Sequence, residues 1–130
     1  MTTEFTITLE DRPGALAEVC ALLGDGQINI EAIQGSCRDG RACVQFVVND
    51  PVGAARTLCL AAIPYRCREV LVVKVLDQPG MLGDVAFVMS RAGINIESVY
   101  VTTCGHIVLG VDDLDGAIQV AGGLAVMPPE

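Results

Sequence analysis

The stretch DRPGALAEV at residues 11–19 returns almost unchanged as DQPGMLGDV at residues 77–85. A second pair, INIEAI from Ile28 and INIESV from Ile94, follows at matching distance, so both pairs are separated by 66 positions. Similarity at a fixed period indicates a duplicated structural unit. We therefore predict two small domains, one over residues 1–69 and one over residues 70–130.

The hydrophobic period changes in the same order within each repeat. FTITLE (5–10) alternates as a half-buried strand does, and the stretch after the Asp-Arg-Pro-Gly turn has helical spacing. INIEAI returns to alternation, an Asp-Gly hairpin signal leads into VQFVV, and a second helix and a last strand, YRCREV, follow. Repeat 2 runs from VLVVKVL to LDGAIQVAGGL in this order. The order βαββαβ predicts an α+β fold: two ferredoxin-like units in tandem, each an antiparallel sheet with its helices on one face.

Composition and charge narrow the function classes. Of the 130 residues 52% are hydrophobic, which is enough for a packed core. The formal net charge of −8 argues against nucleic acid and anionic membranes as partners, because both would be repelled. No apolar run reaches the roughly 18 residues of a membrane span, and the N-terminus lacks the pattern of a signal peptide. We therefore expect a cytoplasmic protein.

The cysteines show no metal or disulfide pattern. None forms a C-x-x-C pair, and no histidine stands at metal-ligand spacing. Most lie within apolar runs, where cysteine behaves as a small hydrophobic residue. We expect ordinary buried or half-buried thiols at Cys20, Cys37, Cys43, Cys59, Cys67 and Cys104, rather than a zinc site or a disulfide framework.

The sheet face away from the helices is predicted to differ between the repeats. In repeat 1 it should be mostly polar, with Thr6, Thr8, Glu10, Asn29 and Glu31. In repeat 2 the matching set is apolar, with Val72, Leu76, Val99, Val101 and Val108. An apolar face of this size is seldom left in water. Either the tail AVMPPE or the other repeat covers it, or the chain forms a homodimer through it, which we favour.

The repeated loop has the chemistry of a small-ligand site. Pro13 and Gly14 open a helix whose first N–H groups lack intrahelical partners, and such groups suit a carboxylate. Asp11 at the rim suits an ammonium group, so the loop suits a zwitterion such as a free amino acid. Asn29 and Asn95 offer both donor and acceptor. A purely structural interpretation stays open, in which Asp11 and Asp77 cap helices and the asparagines bind local backbone.

These motifs resemble the ACT-domain family, regulatory amino-acid-binding modules attached to many metabolic enzymes. The resemblance rests on LEDRPGALAEVCALL with INIEAI and on VLDQPGMLGDVAFVMSRAGINIESV, and it is closest to small stand-alone proteins with two ACT domains. It implies amino-acid binding between paired ACT units. By motif match the ligand-binding residues are Asp11, Arg12, Pro13, Gly14, Ala15, Leu16, Ile28, Asn29 and Ile30 in repeat 1, and Asp77, Gln78, Pro79, Gly80, Met81, Leu82, Ile94, Asn95 and Ile96 in repeat 2.

The two sites are not equivalent. Aspartate stands at 11 and 77 where amino-acid-binding members of the family often have asparagine. Repeat 1 has Gln27 where repeat 2 has the usual glycine, Gly93, and Met81 is bulkier than its counterpart Ala15. We therefore predict that the first loop is the better ligand site.

Catalysis finds little support in the sequence. His106 is the only histidine, and no P-loop, dinucleotide fingerprint or zinc motif is present, so we predict no enzyme activity, no metal and no cofactor. The resulting hypothesis is a regulatory module that binds an amino acid and signals to a partner enzyme or regulator. Two alternatives stay open. One is an assembly subunit that no longer binds ligand, and the other is a metal or redox sensor that uses Cys37, Cys43 and His106.

Overall fold

The computed structural model describes residues 2–122, which form ten helices and strands. In chain order these are β1 (Thr2–Glu10), α1 (Ala15–Asp25), β2 (Ile30–Arg38), β3 (Arg41–Val48), α2 (Pro51–Leu60), β4 (Arg66–Val73), α3 (Met81–Arg91), β5 (Ile96–Val101), β6 (Ile107–Val111) and α4 (Leu114–Val120). The predicted α+β fold of two ferredoxin-like units in tandem is confirmed. The sequence predicted separate strands YRCREV and VLVVKVL. They form the single strand β4, because no turn residue interrupts that stretch.

The chain divides into two compact units. The first is Thr3–Arg68, and the second contains the described residues from Glu69 onward together with Thr2. In the first unit β3 pairs antiparallel with both β1 and β2. In the second unit β6 pairs antiparallel with both β4 and β5. The last strand expected in repeat 2, and the tail AVMPPE, lie outside the described residues.

The core of the first unit follows from the alternation along β1. Phe5 and Ile7 point to the helices and are almost fully buried, and Phe5 stacks on Phe46 with ring centroids 5.5 Å apart. Leu23 of α1 and Leu58 of α2 complete this cluster, and each is at most 1% exposed. Burial of such large apolar side chains is the main favourable term in folding.

The opposite face of the same sheet is polar, as predicted. Gln34 donates to Gln45, Gln45 donates to Glu4 at 3.5 Å, and Arg68 Nε donates to the same Glu4 oxygen at 3.1 Å. Glu4 is fully buried, so these partners satisfy a carboxylate that would be costly to bury alone.

The prediction for the second unit is wrong in its details. Val99 and Val101 are in register with Leu109 and Ile107, which pack against the helices, so they lie on the helix side. A register shift between Ile96 and Ser98 inserts one extra residue and reverses the alternation that the sequence implied. Val72 and Val108, on the other face, are at most 2% exposed. The argument for a homodimer through an exposed apolar face therefore does not hold for these residues.

Two further observations concern the thiols and the helices. All six cysteines are free, but five are exposed and only Cys20 is half-buried, so the expectation of buried thiols is wrong. Most of them lie on helix faces, loops and strand ends that the core does not cover. Among residues 2–122, no helix is long and apolar enough to cross a membrane.

Candidate functional site

The turn between β1 and α1 is built around a left-handed glycine. Gly14 has φ of +90° and is the N-cap of α1, a conformation that favours a residue without Cβ. The backbone N–H of Ala15 donates to Arg12 O at 3.3 Å, and that of Glu18 donates to Gly14 O at 3.0 Å. The helix therefore begins at Ala15, directly after Gly14. No side chain caps it, so Asp11 does not have the capping role that the structural interpretation offered.

This start leaves backbone donors available. The N–H groups of Leu16 and Ala17 have no hydrogen-bond partner among residues 2–122. Such groups, at the positive end of a helix, favour an anion or a carboxylate.

Arg12 holds the turn against the first turn of α1. Its guanidinium donates to both carboxylate oxygens of Glu18, at 3.0 and 3.2 Å, and its Nε lies 3.6 Å from Glu10 Oε2. The hydrogen bond and the charge of Arg12 lower the pKa of Glu18, and Glu18 in turn raises the pKa of Arg12. The pairs are exposed, so their value is in positioning rather than in stability.

Asp11 points across the turn to β2. The thiol of Cys37 donates to Asp11 Oδ1 at 3.3 Å. This hydrogen bond, with smaller contributions from desolvation and from the carboxylate charge, raises the pKa of Cys37. The raised pKa favours the protonated thiol, and the second carboxylate oxygen of Asp11 has no hydrogen-bond partner among residues 2–122.

A cavity of about 390 Å³ lies beneath this turn. Its walls are the β1–α1 turn, the start of α1 and the second half of β2. Apolar side chains from β1, β2 and β3 line much of it, and the charged groups of Asp11 and Arg12 lie at its rim. Gly35 of β2 is part of the wall, and its missing side chain leaves space on the helix side of the sheet. We call this space the corner cavity.

The structure brings together only part of the predicted site of repeat 1. Asp11, Arg12, Ala15 and Leu16 line the corner cavity. Pro13 and Gly14 shape the turn but do not line it. The predicted residues at the start of β2 are elsewhere: Ile28 is buried in the core, and Ile30 packs against it.

Asn29 has a structural partner that the sequence reading missed. Its backbone N–H donates to Asn49 Oδ1 at 2.9 Å, and its carbonyl accepts from the backbone of Asn49 at 3.1 Å. The side chain of Asn29 is exposed and lies outside the corner cavity.

Repeat 2 separates its predicted residues in the same way. Gly80 has φ of +89° and caps α3 as Gly14 caps α1. The backbone of Asn95 is held by Asp112, which accepts its N–H at 3.0 Å. A shallow cleft of about 450 Å³ contains Ile94, Asn95 and Ile96 with parts of α3, but none of the loop residues Asp77, Gln78, Pro79, Gly80, Met81 and Leu82.

Several of the residues that line the corner cavity in repeat 1 are replaced at the matching positions of repeat 2. Val101 stands at the position of Gly35, and Met81 stands at the position of Ala15, so larger side chains occupy the equivalent walls. Gln78 replaces Arg12, so the charge that pairs with the first helical turn is absent from this loop. That the first loop is the better ligand site stays a prediction.

The sequence reading also missed a repeated Asx pair. Asn49-Asp50 and Asp112-Asp113 occur 63 positions apart, just before α2 and α4. The side chain of the first residue in each pair accepts the backbone N–H of Asn29 or Asn95. The side chain of the second residue accepts, at 3.0 Å, the backbone N–H of the residue three positions later, which is Gly53 or Gly116. Two adjacent Asx residues before a helix are a capping signal that was available in the sequence.

The structure gives no support to the metal-sensor alternative. Across the described residues 2–122, no three His, Cys, Asp or Glu side chains are placed to hold a metal ion. The backbone of His106 is fixed by Thr102, whose hydroxyl accepts its N–H at 3.0 Å, so the residue belongs to a turn.

Comparison with known proteins identifies the family. The family model described as ACT domain matches residues 3–58 and 70–118. A solved protein from Bacteroides thetaiotaomicron has a TM-score of 0.89 at 23% identity, over 98% of this chain and 92% of that one. The regulatory subunit of aspartate kinase from Thermus thermophilus has a TM-score of 0.70 at 20% identity, over 94% and 91%. The corresponding subunit from Thermus flavus has a TM-score of 0.64 at 19% identity, over 94% and 90%. No curated protein sequence matches the chain at a significant level.

Proposed function

The chain belongs to the ACT domain family, and we propose that it is a non-catalytic regulatory module that binds a free amino acid and signals to a partner protein. The corner cavity of the first unit is the observation that carries this proposal. It combines apolar walls with opposite charges at one rim, and these match the groups that an amino acid presents.

Each part of an amino acid has a matching group at the corner cavity. The free oxygen of Asp11 suits the ammonium group. The N–H groups of Leu16 and Ala17, at the start of α1, suit the carboxylate. The apolar walls, with Ile33 and Val44 among them, suit an aliphatic side chain. Arg12 keeps the turn in place through Glu18 and so preorganises these groups.

Signal output requires that the ligand favour one state of the protein over another. The corner cavity joins the β1–α1 turn to the edge strand β2, so an occupied cavity would tie these two elements together. We propose that the partner senses this change. The likeness to the regulatory subunit of the Thermus thermophilus aspartate kinase makes a metabolic enzyme a reasonable partner class.

A homodimer is proposed on a different surface from the one that the sequence suggested. Leu82 and Phe87 of α3 are 46% and 61% exposed, and Val99 and Val101 of β5 are 42% and 60% exposed. Among residues 2–122, β5 pairs only with β6, so its other edge has no strand partner there. Exposed apolar side chains along such an edge favour association with a second copy.

The test is a thermal-shift screen of free amino acids followed by calorimetry. A ligand at a hundred times its Kd should stabilise the protein by about 2.7 kcal/mol. Gly35→Val places in the first unit the side chain that Val101 carries in the second, and it should abolish binding. A Cβ at Gly35 would meet only ordinary contacts, the nearest being Val44 Cγ2 at 3.4 Å, so the variant should fold. Val101→Ala is the matched control and should bind as the wild type does.

Two outcomes would contradict the proposal. Wild-type affinity in Gly35→Val would place the ligand outside the corner cavity. The absence of binding by any amino acid would favour the alternative of an assembly subunit, for which the exposed apolar residues of α3 and β5 are the supporting observation. Asn29→Ala adds a separate comparison. The ACT resemblance assigns Asn29 to the ligand, whereas the corner cavity of the first unit does not include it.

A further inference from the structure

A second cleft, of about 410 Å³, lies on the first unit away from the corner cavity. Hydroxyl and guanidinium side chains dominate its walls, which are formed by Thr6, Thr8, Arg41, Pro64, Tyr65 and Arg66. We call it the arginine cleft. The charged side chains of the cleft are positive, whereas the chain as a whole carries a net charge of −8.

The sheet register explains why these side chains meet. Thr6 and Thr8 alternate with the buried Phe5 and Ile7, so they point away from the helices. Arg41 is the register partner of Glu10, two residues beyond Thr8, and therefore shares the face of the threonines. Arg66 precedes by two residues Arg68, which contacts Glu4 on this same face.

The two arginines of the cleft have no internal counter-charge. Within residues 2–122 the side chains of Arg41 and Arg66 have no ion-pair or hydrogen-bond partner, whereas those of Arg12 and Arg68 do. Arg38 is directly opposite Arg41 in the register, so a third positive charge is adjacent.

Like charges in opposed positions destabilise a sheet, so this arrangement costs stability in the absence of an anion. The nearest carboxylate in register is that of Glu10, and its Oε2 lies 3.6 Å from Arg12 Nε. The charge balance of the face therefore points to a bound anion.

We propose that the arginine cleft binds the phosphate group of a small phosphorylated metabolite. Two guanidinium groups match the double charge of a phosphate monoester, and each can donate two parallel hydrogen bonds to it. The hydroxyls of Thr6 and Thr8 supply donors for a third oxygen, which a carboxylate does not have. The cleft is larger than a phosphate group, and Pro64 provides an apolar part of its wall for the organic part.

The arginine cleft is specific to the first repeat. At the matching positions of repeat 2 stand Val72, Lys74 and Cys104, so the ACT fold does not require these residues. The cleft is also distinct from the corner cavity, because Gly35 of that cavity lies on the helix side of the same sheet. The proposal therefore goes beyond amino-acid binding and does not depend on it.

The test is calorimetry and ³¹P NMR at constant ionic strength, with inorganic phosphate, ribose 5-phosphate and adenosine monophosphate as probes. Arg66→Gln and Arg41→Gln should each weaken binding by about tenfold or more. Arg56→Gln is the matched control, because it removes the same charge from the exposed face of α2 and should change the Kd by less than about twofold. Comparison of the three probes separates recognition of the phosphate alone from recognition of the organic part.

The fold of each variant is checked by circular dichroism, and amino-acid binding at the corner cavity is measured separately. Equal weakening in Arg56→Gln would show general charge attraction and overturn the proposal. Unchanged affinity in Arg41→Gln and Arg66→Gln would overturn it as well, as would binding of an oligoglutamate peptide in the absence of binding by any phosphate probe.

Discussion

Gly53, in the first turn of α2, should respond to alanine differently from an ordinary helical glycine. The usual effect of alanine in place of glycine in a helix is stabilisation by up to about 1 kcal/mol. Gly24 of α1 should show it, because a Cβ there would meet open space. A Cβ at Gly53 would overlap the carboxylate of Asp50, which caps α2 by accepting the N–H of Gly53 at 3.0 Å.

The magnitude follows from two opposing contributions. Alanine at position 53 gains about 1 kcal/mol of helix propensity, but the displaced Asp50 carboxylate loses a cap worth about 1 kcal/mol, within a range of about 0.5–2. We expect Gly53→Ala to be neutral or destabilising by up to about 1 kcal/mol. Gly24→Ala should stabilise by about 0.5–1 kcal/mol.

The assay is urea unfolding followed by circular dichroism, in a double-mutant cycle with Asp50→Ala. Once the carboxylate is removed, Gly53→Ala no longer displaces a cap and should become stabilising by about 1 kcal/mol. This reversal of sign isolates the overlap from every other effect of the substitution. If Gly53→Ala stabilised the wild type as much as it stabilised the Asp50→Ala variant, the reasoning would be refuted. Gly116 and Asp113 repeat the arrangement at α4 and provide an independent copy of the test.

Three further predictions concern the corner of the first unit. Gly14→Ala should destabilise by about 1–2 kcal/mol, because alanine is strained at φ of +90°, and a full urea curve measures this. Arg12→Gln should return the pKa of Glu18 upward to its ordinary value in an NMR titration. Because the pKa of Glu18 is lower in the folded than in the unfolded state, Glu18 stabilises the wild type above its unfolded-state pKa. This stability is lost as the pH falls through the folded-state pKa. The Arg12→Gln variant should therefore lose less stability at acid pH. Asp11→Asn should lower the pKa of Cys37 and speed its alkylation near pH 8; an unchanged rate would contradict the assigned cause.

The fold could be predicted because its signals are local and occur twice. Alternation along β1 placed Phe5 and Ile7 inside, and the Pro-Gly turn marked the start of each first helix. The face to which the side chains of β5 point could not be predicted. One inserted residue near Ile96 moves Val99 to the other face of the sheet, and nothing in the residue types marks that insertion. Because of this insertion, the alternating pattern of the sequence assigned the exposed valines of repeat 2 to the wrong face.

The site was predictable to a smaller extent. The repeated loop pointed to Asp11 and Arg12, which do line the corner cavity. Gly35 could not be found from sequence, because its effect depends on which residues face it across β2 and β3. The arginine cleft combines residues from three strands and a loop, so no linear motif contains it.

The distribution of thiols offers a route to spectroscopic labelling. Five of the cysteines lie in the unit Thr3–Arg68, and Cys104 alone belongs to the second unit, where it is exposed. A ¹⁹F-bearing reagent on a variant that retains only Cys104 would therefore report on the second unit alone. Cys37, retained alone beside the corner cavity, would give the complementary resonance. Exposed thiols also crosslink in air, so any measurement of subunit stoichiometry needs a reductant to separate true association from adventitious disulfides.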